Sequence, residues 1–344
     1  MSARRTTCST TLITMPTRGL FAYRSILLAP VLLALSANAF SQSAPEEPAP
    51  PSASTANLPL SVPRIAELEH ALNAHDYVTA EKILLAEIDR ASQPSARSHL
   101  LELAGTVYFL NHDDLNAAIA WKKAETIAPL DSHLKFSLAM AYVRIHHPEW
   151  ARAVLDSLRR TYPEDALYPF WLGRLNYDGH DYDGAIRSFL HATELDPHMA
   201  RAWDNLGLCY YYQNRNTEAV ASYNRAIELE RSLPHPSPWP FLNLAVTQQF
   251  LNQLPDAEAN LRRALELDSR LAPAHFQLGT VLEDEGRNQD AVIELLAAIS
   301  IDQTYAEPHM ALARVYRKLG RDEEARREVK MYLQLHPHST PSPR

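Results

Sequence analysis

From Ser61 to Pro337, apolar residues recur every three or four positions, the spacing of one helix face. Short polar or Pro-bearing breaks cut this pattern into helix-length segments. The stretch AWDNLGLCYYYQNRNTEAVASYNRAIELE, Ala202 to Glu230, holds two segments on either side of the polar break QNRN. In it, bulky Trp203, Leu206, Tyr210 and Tyr223 are interleaved with Gly207, Ala219 and Ala226, which are small where a packing face usually carries more volume. The second segment is not unique. DYDGAIRSFLHATELDP (Asp181–Pro197), PDAEANLRRALELD (Pro255–Asp268) and NQDAVIELLAAISID (Asn288–Asp302) align with Asn216–Glu230.

One alanine marks the phase of every copy: Ala80, Ala117, Ala151, Ala185, Ala219, Ala257, Ala291 and Ala325, at intervals of 37, 34, 34, 34, 38, 34 and 34 residues. Twelve residues earlier stands a second small residue in all copies but the first: Gly105, Ala139, Gly173, Gly207, Ala245, Gly279 and Ala313. Seven residues later alanine recurs at Ala124, Ala192, Ala226, Ala264 and Ala298. With small residues at unit positions 8, 20 and 27 and a 34-residue period, the chain resembles the tetratricopeptide repeat family. The family's aromatic at position 11 is met by Tyr108, Tyr142, Tyr210 and Tyr316, that at position 24 by Trp121, Phe189 and Tyr223, and its Trp at position 4 by Trp203.

The resemblance implies an all-α fold, a right-handed superhelix (α-solenoid) of antiparallel helix pairs, with about sixteen repeat helices. The units run approximately over 61–97, 98–131, 132–165, 166–199, 200–237, 238–271, 272–305 and 306–337. Gly and Ala then stand where helices cross closely, because a larger side chain would force the ridges out of the facing grooves. The end units depart from the pattern, with Leu68 and Glu87 at positions 8 and 27 of the first and Tyr332 at position 27 of the last. The 38-residue interval holds RSLPHPSPWP, whose four prolines predict a rigid turn.

The N-terminus follows a different pattern. Residues 1–39 read as an export signal: a basic region with Arg4, Arg5, Arg18 and Arg24, the apolar run Ile26–Leu35, and small residues Ala37–Ala39, with cleavage expected after Ala39. Translation could start at Met1 or at Met15. The alternative is an uncleaved membrane anchor, against which the apolar run of about ten residues is short of the roughly 20 needed to span a bilayer. Residues 40–60 are rich in Pro, Ala and Ser and read as a flexible spacer, and 338–344 as a tail. The expected location is therefore periplasmic or extracellular, with no membrane contact after cleavage. The chain carries 33 − 41 = −8. Removing the leader's four Arg gives 29 − 41 = −12, a poor balance for binding nucleic acid. Cys8 leaves with the leader, so Cys209 has no partner for an internal disulfide.

No catalytic motif is present: no HExxH, no Gly-rich phosphate loop, no GxSxG. The histidines do not pair at helical spacing. His146 and His147 are adjacent and His70 and His75 are five apart, so no metal site and no cofactor is expected. By resemblance, positions 2, 5, 6, 9, 12 and 13 of each first helix line the family's concave groove. Carried onto this chain, they give a candidate peptide-binding set of Phe136, Phe170, Arg174, Tyr177, Arg201, Asn205, Tyr211, Tyr212, Asn243, Phe250, Phe276 and Gln277. Some of the aromatics are expected to fill seams between first helices. Asn205, Asn243 and Gln277 all fall at position 6 and resemble an amide ladder for the backbone of an extended peptide. The expected function is a non-enzymatic scaffold that binds a protein or peptide. The alternatives are a self-associating structural subunit and the scaffold half of an enzyme complex, such as a glycosyltransferase partner.

Overall fold

The computed structural model describes residues 60–335 together with residues 53, 55 and 58. The predicted export signal, most of the predicted spacer and the predicted tail lie outside the described residues. Sixteen helices follow one another among the described residues, with no strand. In chain order they pair as α1 (Val62–Asn73) with α2 (Tyr77–Arg90), α3 (Pro94–Leu110) with α4 (Asp114–Glu125), α5 (Ser132–Arg144) with α6 (Pro148–Thr161), and α7 (Leu167–Asp178) with α8 (Tyr182–Leu195). The array continues with α9 (Ala200–Tyr212) and α10 (Asn216–Glu230), α11 (Trp239–Phe250) and α12 (Leu254–Leu267), α13 (Ala272–Asp284) and α14 (Asn288–Ile301), and α15 (Glu307–Lys318) and α16 (Asp322–Leu335). Each helix packs on the next, which makes an α-solenoid of helix pairs.

The phase-marking alanines are the contact points. Ala80, Ala117, Ala151, Ala185, Ala219, Ala257 and Ala291 have no exposed surface, and neither do Ala124, Ala192, Ala226, Ala264 and Ala298. The small residue at position 8 answers the residue at position 24 across each pair. A Cβ built on Gly105 would lie 2.5 Å from the Trp121 ring, one on Gly173 2.7 Å from Phe189, and one on Gly207 2.5 Å from Tyr223. Where position 8 is Ala, as at Ala139 and Ala245, position 24 is a buried leucine, Leu155 and Leu261. Glycine admits the aromatic ring; alanine goes with the narrower leucine. Gly279 over Leu295, with 2.7 Å to Leu295 Cγ, and Ala313 with the half-buried Val329 of the last unit depart from this pairing.

The eight turns inside the pairs share one geometry. Unit position 15 has positive φ in every unit: His75, His112, His146, His180, Asn214, Asn252, Gly286 and Gly320, between 54° and 80°. The N–H after it donates to the carbonyl five residues back, as in Asp76 to Ala71 (2.9 Å), Asp181 to Asn176 (2.9 Å) and Arg321 to Tyr316 (2.8 Å). This is the left-handed C-cap that satisfies the last carbonyls of a helix. In three of the turns the next residue caps the following helix: Asp76, Asp113 and Asp181 accept from the N–H of Thr79, Asn116 and Gly184.

The predicted turn after the fifth unit runs from the end of α10 to Trp239. It is tied down from inside, because the buried Glu230 carboxylate accepts the Ser237 N–H at 2.8 Å. Two of the described residues before α1 meet the rest of the chain. Thr55 donates its hydroxyl to Glu69 on α1 at 2.6 Å, and Leu58 is buried.

Candidate peptide-binding face

From α7 onward, successive first helices touch one another: α7 with α9, α9 with α11, α11 with α13 and α13 with α15. No two successive second helices approach as closely among the described residues, so the first helices occupy the tighter side of the array. This closure decides the fate of the predicted groove residues. Phe136, Phe170, Arg174, Tyr177, Asn205, Asn243, Phe276 and Gln277 are all buried. A peptide cannot reach them without parting the helices, and their placement in the groove is corrected accordingly. Phe136 meets Tyr168 and Trp171 of the next unit, Phe170 meets Phe189, and Phe276 meets Tyr305.

The amide row is in place, but it faces the neighbouring unit. Asn205 accepts from the Arg174 guanidinium at 2.6 Å and donates to the Arg201 carbonyl at 2.8 Å. Asn243 donates to Asp204 at 3.0 Å. Gln277 donates to Gln249, whose own amide reaches Asp284 at 2.8 Å. Buried polar groups must be hydrogen-bonded, and once the helices close, the nearest partners are across the seam. The seam also holds Asp204, whose pKa burial pushes up to about 7 against the bond from Asn243. Glu283, on α13, is buried and held by Arg314 at 2.9 Å and Lys318 at 2.8 Å. Cys209 has no exposed surface, and burial raises its thiol pKa, which keeps it protonated and unreactive.

What stays accessible is the C-terminal rim of the first helices, at unit positions 12 to 14. Tyr211 and Tyr212 are half-buried there, Phe250 is 38% exposed and Leu251 40%. The rings form one connected cluster. Tyr212 stacks on Tyr182 with centroids 4.9 Å apart and planes 1° from parallel. Tyr177 sits edge-on to both at 5.8 and 5.9 Å, and Tyr211 bridges edge-on from Tyr212 (5.9 Å) to Phe250 (6.0 Å). Such contacts add about 0.5–1.5 kcal/mol each beyond burial, so the exposed ring faces rest on a stiff base. Burial pushes the Tyr211 phenol up to about 12, so it stays a neutral donor. Arg201 is half-buried at the opposite end of α9, away from this rim.

Three contributors to the rim were not selected from the sequence. Tyr182 lies on a second helix, outside the groove positions, and its signal was the repeated HDY at His75–Tyr77 and His180–Tyr182. Leu251 falls one residue beyond the last groove position, in the turn. Asp284 occupies a groove position but offers neither an aromatic ring nor an amide. Among the described residues, no group of three or more His, Cys, Asp or Glu could hold a metal ion, and no helix is long and apolar enough to cross a membrane.

Stacked helix pairs with small residues at fixed crossings define a helical-repeat solenoid. The sequence matches the tetratricopeptide repeat family over residues 198–270, and over 136–197 and 242–306. The chain is a tetratricopeptide-repeat protein; the matches fall within residues 136–306, and the recurring alanines extend the same pattern to the helix pairs on either side. It is similar to a peroxisomal targeting signal receptor of Candida glabrata, 28% identical over 121 residues, which are 35% of this chain and 20% of that protein. It is also similar to the BBSome complex member BBS4 homolog of Drosophila melanogaster, 24% identical over 176 residues, or 49% of this chain and 34% of that one. The match thus spans about a fifth and about a third of the length of these two relatives. A solved tetratricopeptide repeat protein from Parabacteroides merdae shares the fold, with a TM-score of 0.58 and 16% identity over 79% of this chain and 98% of that one.

Proposed function

We propose that this protein is a non-enzymatic scaffold that binds an extended segment of a partner protein along the C-terminal rim of its first helices. The observation that carries this reading is the apolar patch formed by half-buried Tyr211 with exposed Phe250 and Leu251, at the rim of first helices whose seams are closed. Aromatic anchors surrounded by packed structure are the usual centres of binding energy. A contiguous apolar patch on a soluble frame marks an interaction site. The likeness to a targeting signal receptor supports a receptor-like role of this kind. The helical frame supports it as well, because adjacent units hold the rings in fixed register.

The test starts from partners recovered by crosslinking the intact protein in its own cell envelope. The triple variant Tyr211→Ala, Phe250→Ala, Leu251→Ala should weaken binding of the recovered partner by more than tenfold, at about 2 kcal/mol for an anchor. Its far-ultraviolet circular dichroism should match the parent. Unchanged affinity places the binding surface elsewhere and refutes the reading. The proposal includes export, with the working protein beginning at Phe40 in the periplasm or outside the cell. Mass spectrometry of protein from the envelope fraction tests it, and retention of residues 1–39 refutes cleavage.

A further inference from the structure

Each second helix turns one stripe to solvent, at unit positions 18, 22, 25 and 29, which share a face at the spacing i, i+4, i+7, i+11. Among the described second helices, every stripe but one carries charge. Lys82 and Asp89 stand in that of α2, Lys122 in α4, Glu149 in α6, Arg187 in α8 and Glu228 in α10. On either side of α14 the stripes hold Arg262 and Glu266 (α12) and Glu323, Arg327 and Lys330 (α16). The stripe of α14 is Gln289, Ile293, Leu296 and Ser300, exposed throughout and uncharged. Ile293 is 64% exposed and Leu296 44%, and the two sit at the middle of the helix. No other described second helix has large apolar residues at both positions 22 and 25.

α14 has no Lys or Arg, and its two acids lie off the stripe. Asp290 pairs with Arg287 at 3.0 Å, and Glu294 accepts from His275 of α13 at 2.7 Å. A helix that is apolar on its inner face and again at the centre of its outer face is built to pack on both sides. Residues 336–344, HPHSTPSPR, have no apolar side chain larger than proline with which to cover it.

We propose that the stripe is covered by α14 of a second copy of this chain, the two helices crossing at Ile293 and Leu296 about a two-fold axis. At such an axis a surface meets itself, so a charge near it meets its own copy. Two copies joined on α12 or α16 bring like charges together at Arg262 or at Arg327 and Lys330. Two copies joined on α14 bring only Ile293 and Leu296 against their counterparts. The contact does not depend on the rim reading, because Tyr211, Phe250 and Leu251 lie at the ends of first helices in other units. A dimer joined through second helices carries two rims, so a partner with repeated segments is held at two points. One helix stripe is small beside the ~800 Å² per partner of a standard interface, so the association is a weak one.

Sedimentation velocity of the full chain from about 1 to about 200 µM should show monomer passing to dimer. Ile293→Lys with Leu296→Lys, and separately Ile293→Glu with Leu296→Glu, should each weaken dimerisation at least tenfold, since like charges then face each other across the axis. Both residues are exposed, so helicity and thermal midpoint should match the parent's. An equimolar mixture of the lysine and glutamate variants should form a dimer again, because opposite charges meet. Leu115→Lys with Ile119→Lys puts the same charges on α4 and should leave dimerisation intact. A chain that stays monomeric over the whole range overturns the proposal, whatever other protein or segment then proves to cover the stripe. A dimer that survives in the α14 lysine variant overturns it too, as does a mixture that stays monomeric or an equal loss in the α4 variant.

Discussion

Gly207→Ala is the most direct probe of the crossing between α9 and α10. The added Cβ would lie 2.5 Å from Tyr223 Cε1, 2.7 Å from Cδ1 and 2.9 Å from Cζ. Carbon pairs settle at about 3.5–4.0 Å, so the ring must retreat by about 1 Å. Tyr223 has no exposed surface into which it can move. Overpacking of this kind costs about 1–3 kcal/mol, against about 1 kcal/mol gained when alanine replaces glycine in a helix. The net expectation is a loss of about 1 kcal/mol. The sharper readout is a double-mutant cycle with Tyr223→Leu, which recreates the Ala–Leu crossing of Ala139 with Leu155 and Ala245 with Leu261. Tyr223→Leu alone leaves a void, which the new methyl partly fills. The pair should therefore be less damaging than the sum of the singles by at least 1 kcal/mol. Urea unfolding followed by circular dichroism at 222 nm measures this, fitted with nearest-neighbour coupling because repeat units need not unfold together. A Gly207→Ala protein as stable as the parent, or strict additivity in the cycle, refutes the reasoning.

Three further outcomes are expected. Asp204, with a pKa pushed up to about 7 by burial, holds its proton longer folded than unfolded, so stability falls as pH rises from about 4 to 7. Asp204→Asn should flatten that slope in urea melts across the window and leave the variant relatively more stable at pH 8 than at pH 4; a profile parallel to the parent's contradicts the assignment. His275 donates to Glu294 at 2.7 Å, and this bond raises its pKa above 6.5. Its stabilisation is full below 6.5 and lost as pH rises through the raised value, so His275→Gln should cost more at pH 5.5 than at pH 8.5. His112 sits at φ 60°, where glycine is free of the Cβ strain, so His112→Gly should raise the unfolding free energy measured by urea melts by up to about 1 kcal/mol, while the same change at exposed His99 on α3 should lower it.

The sequence by itself determined the helix pairs, their number and their phase. The residues that report them, such as Gly207, Ala219 and Tyr223, meet within a single unit and repeat with it. It also carried the turn geometry in the run of His, Asn and Gly at position 15, although the four histidines disguised a site more often read from glycine. Only the tertiary structure decided which first-helix residues face water. Asn205, Asn243 and Gln277 have the same chemistry whether they hold a peptide or a neighbour, and the period between units does not encode how closely one unit leans on the next. That approach closes the seams over positions 5 and 6, where the desolvated amides bond to Arg174, Asp204 and Gln249. It leaves Tyr211, Phe250 and Leu251 at the rim, where the helices end and no neighbour covers them fully.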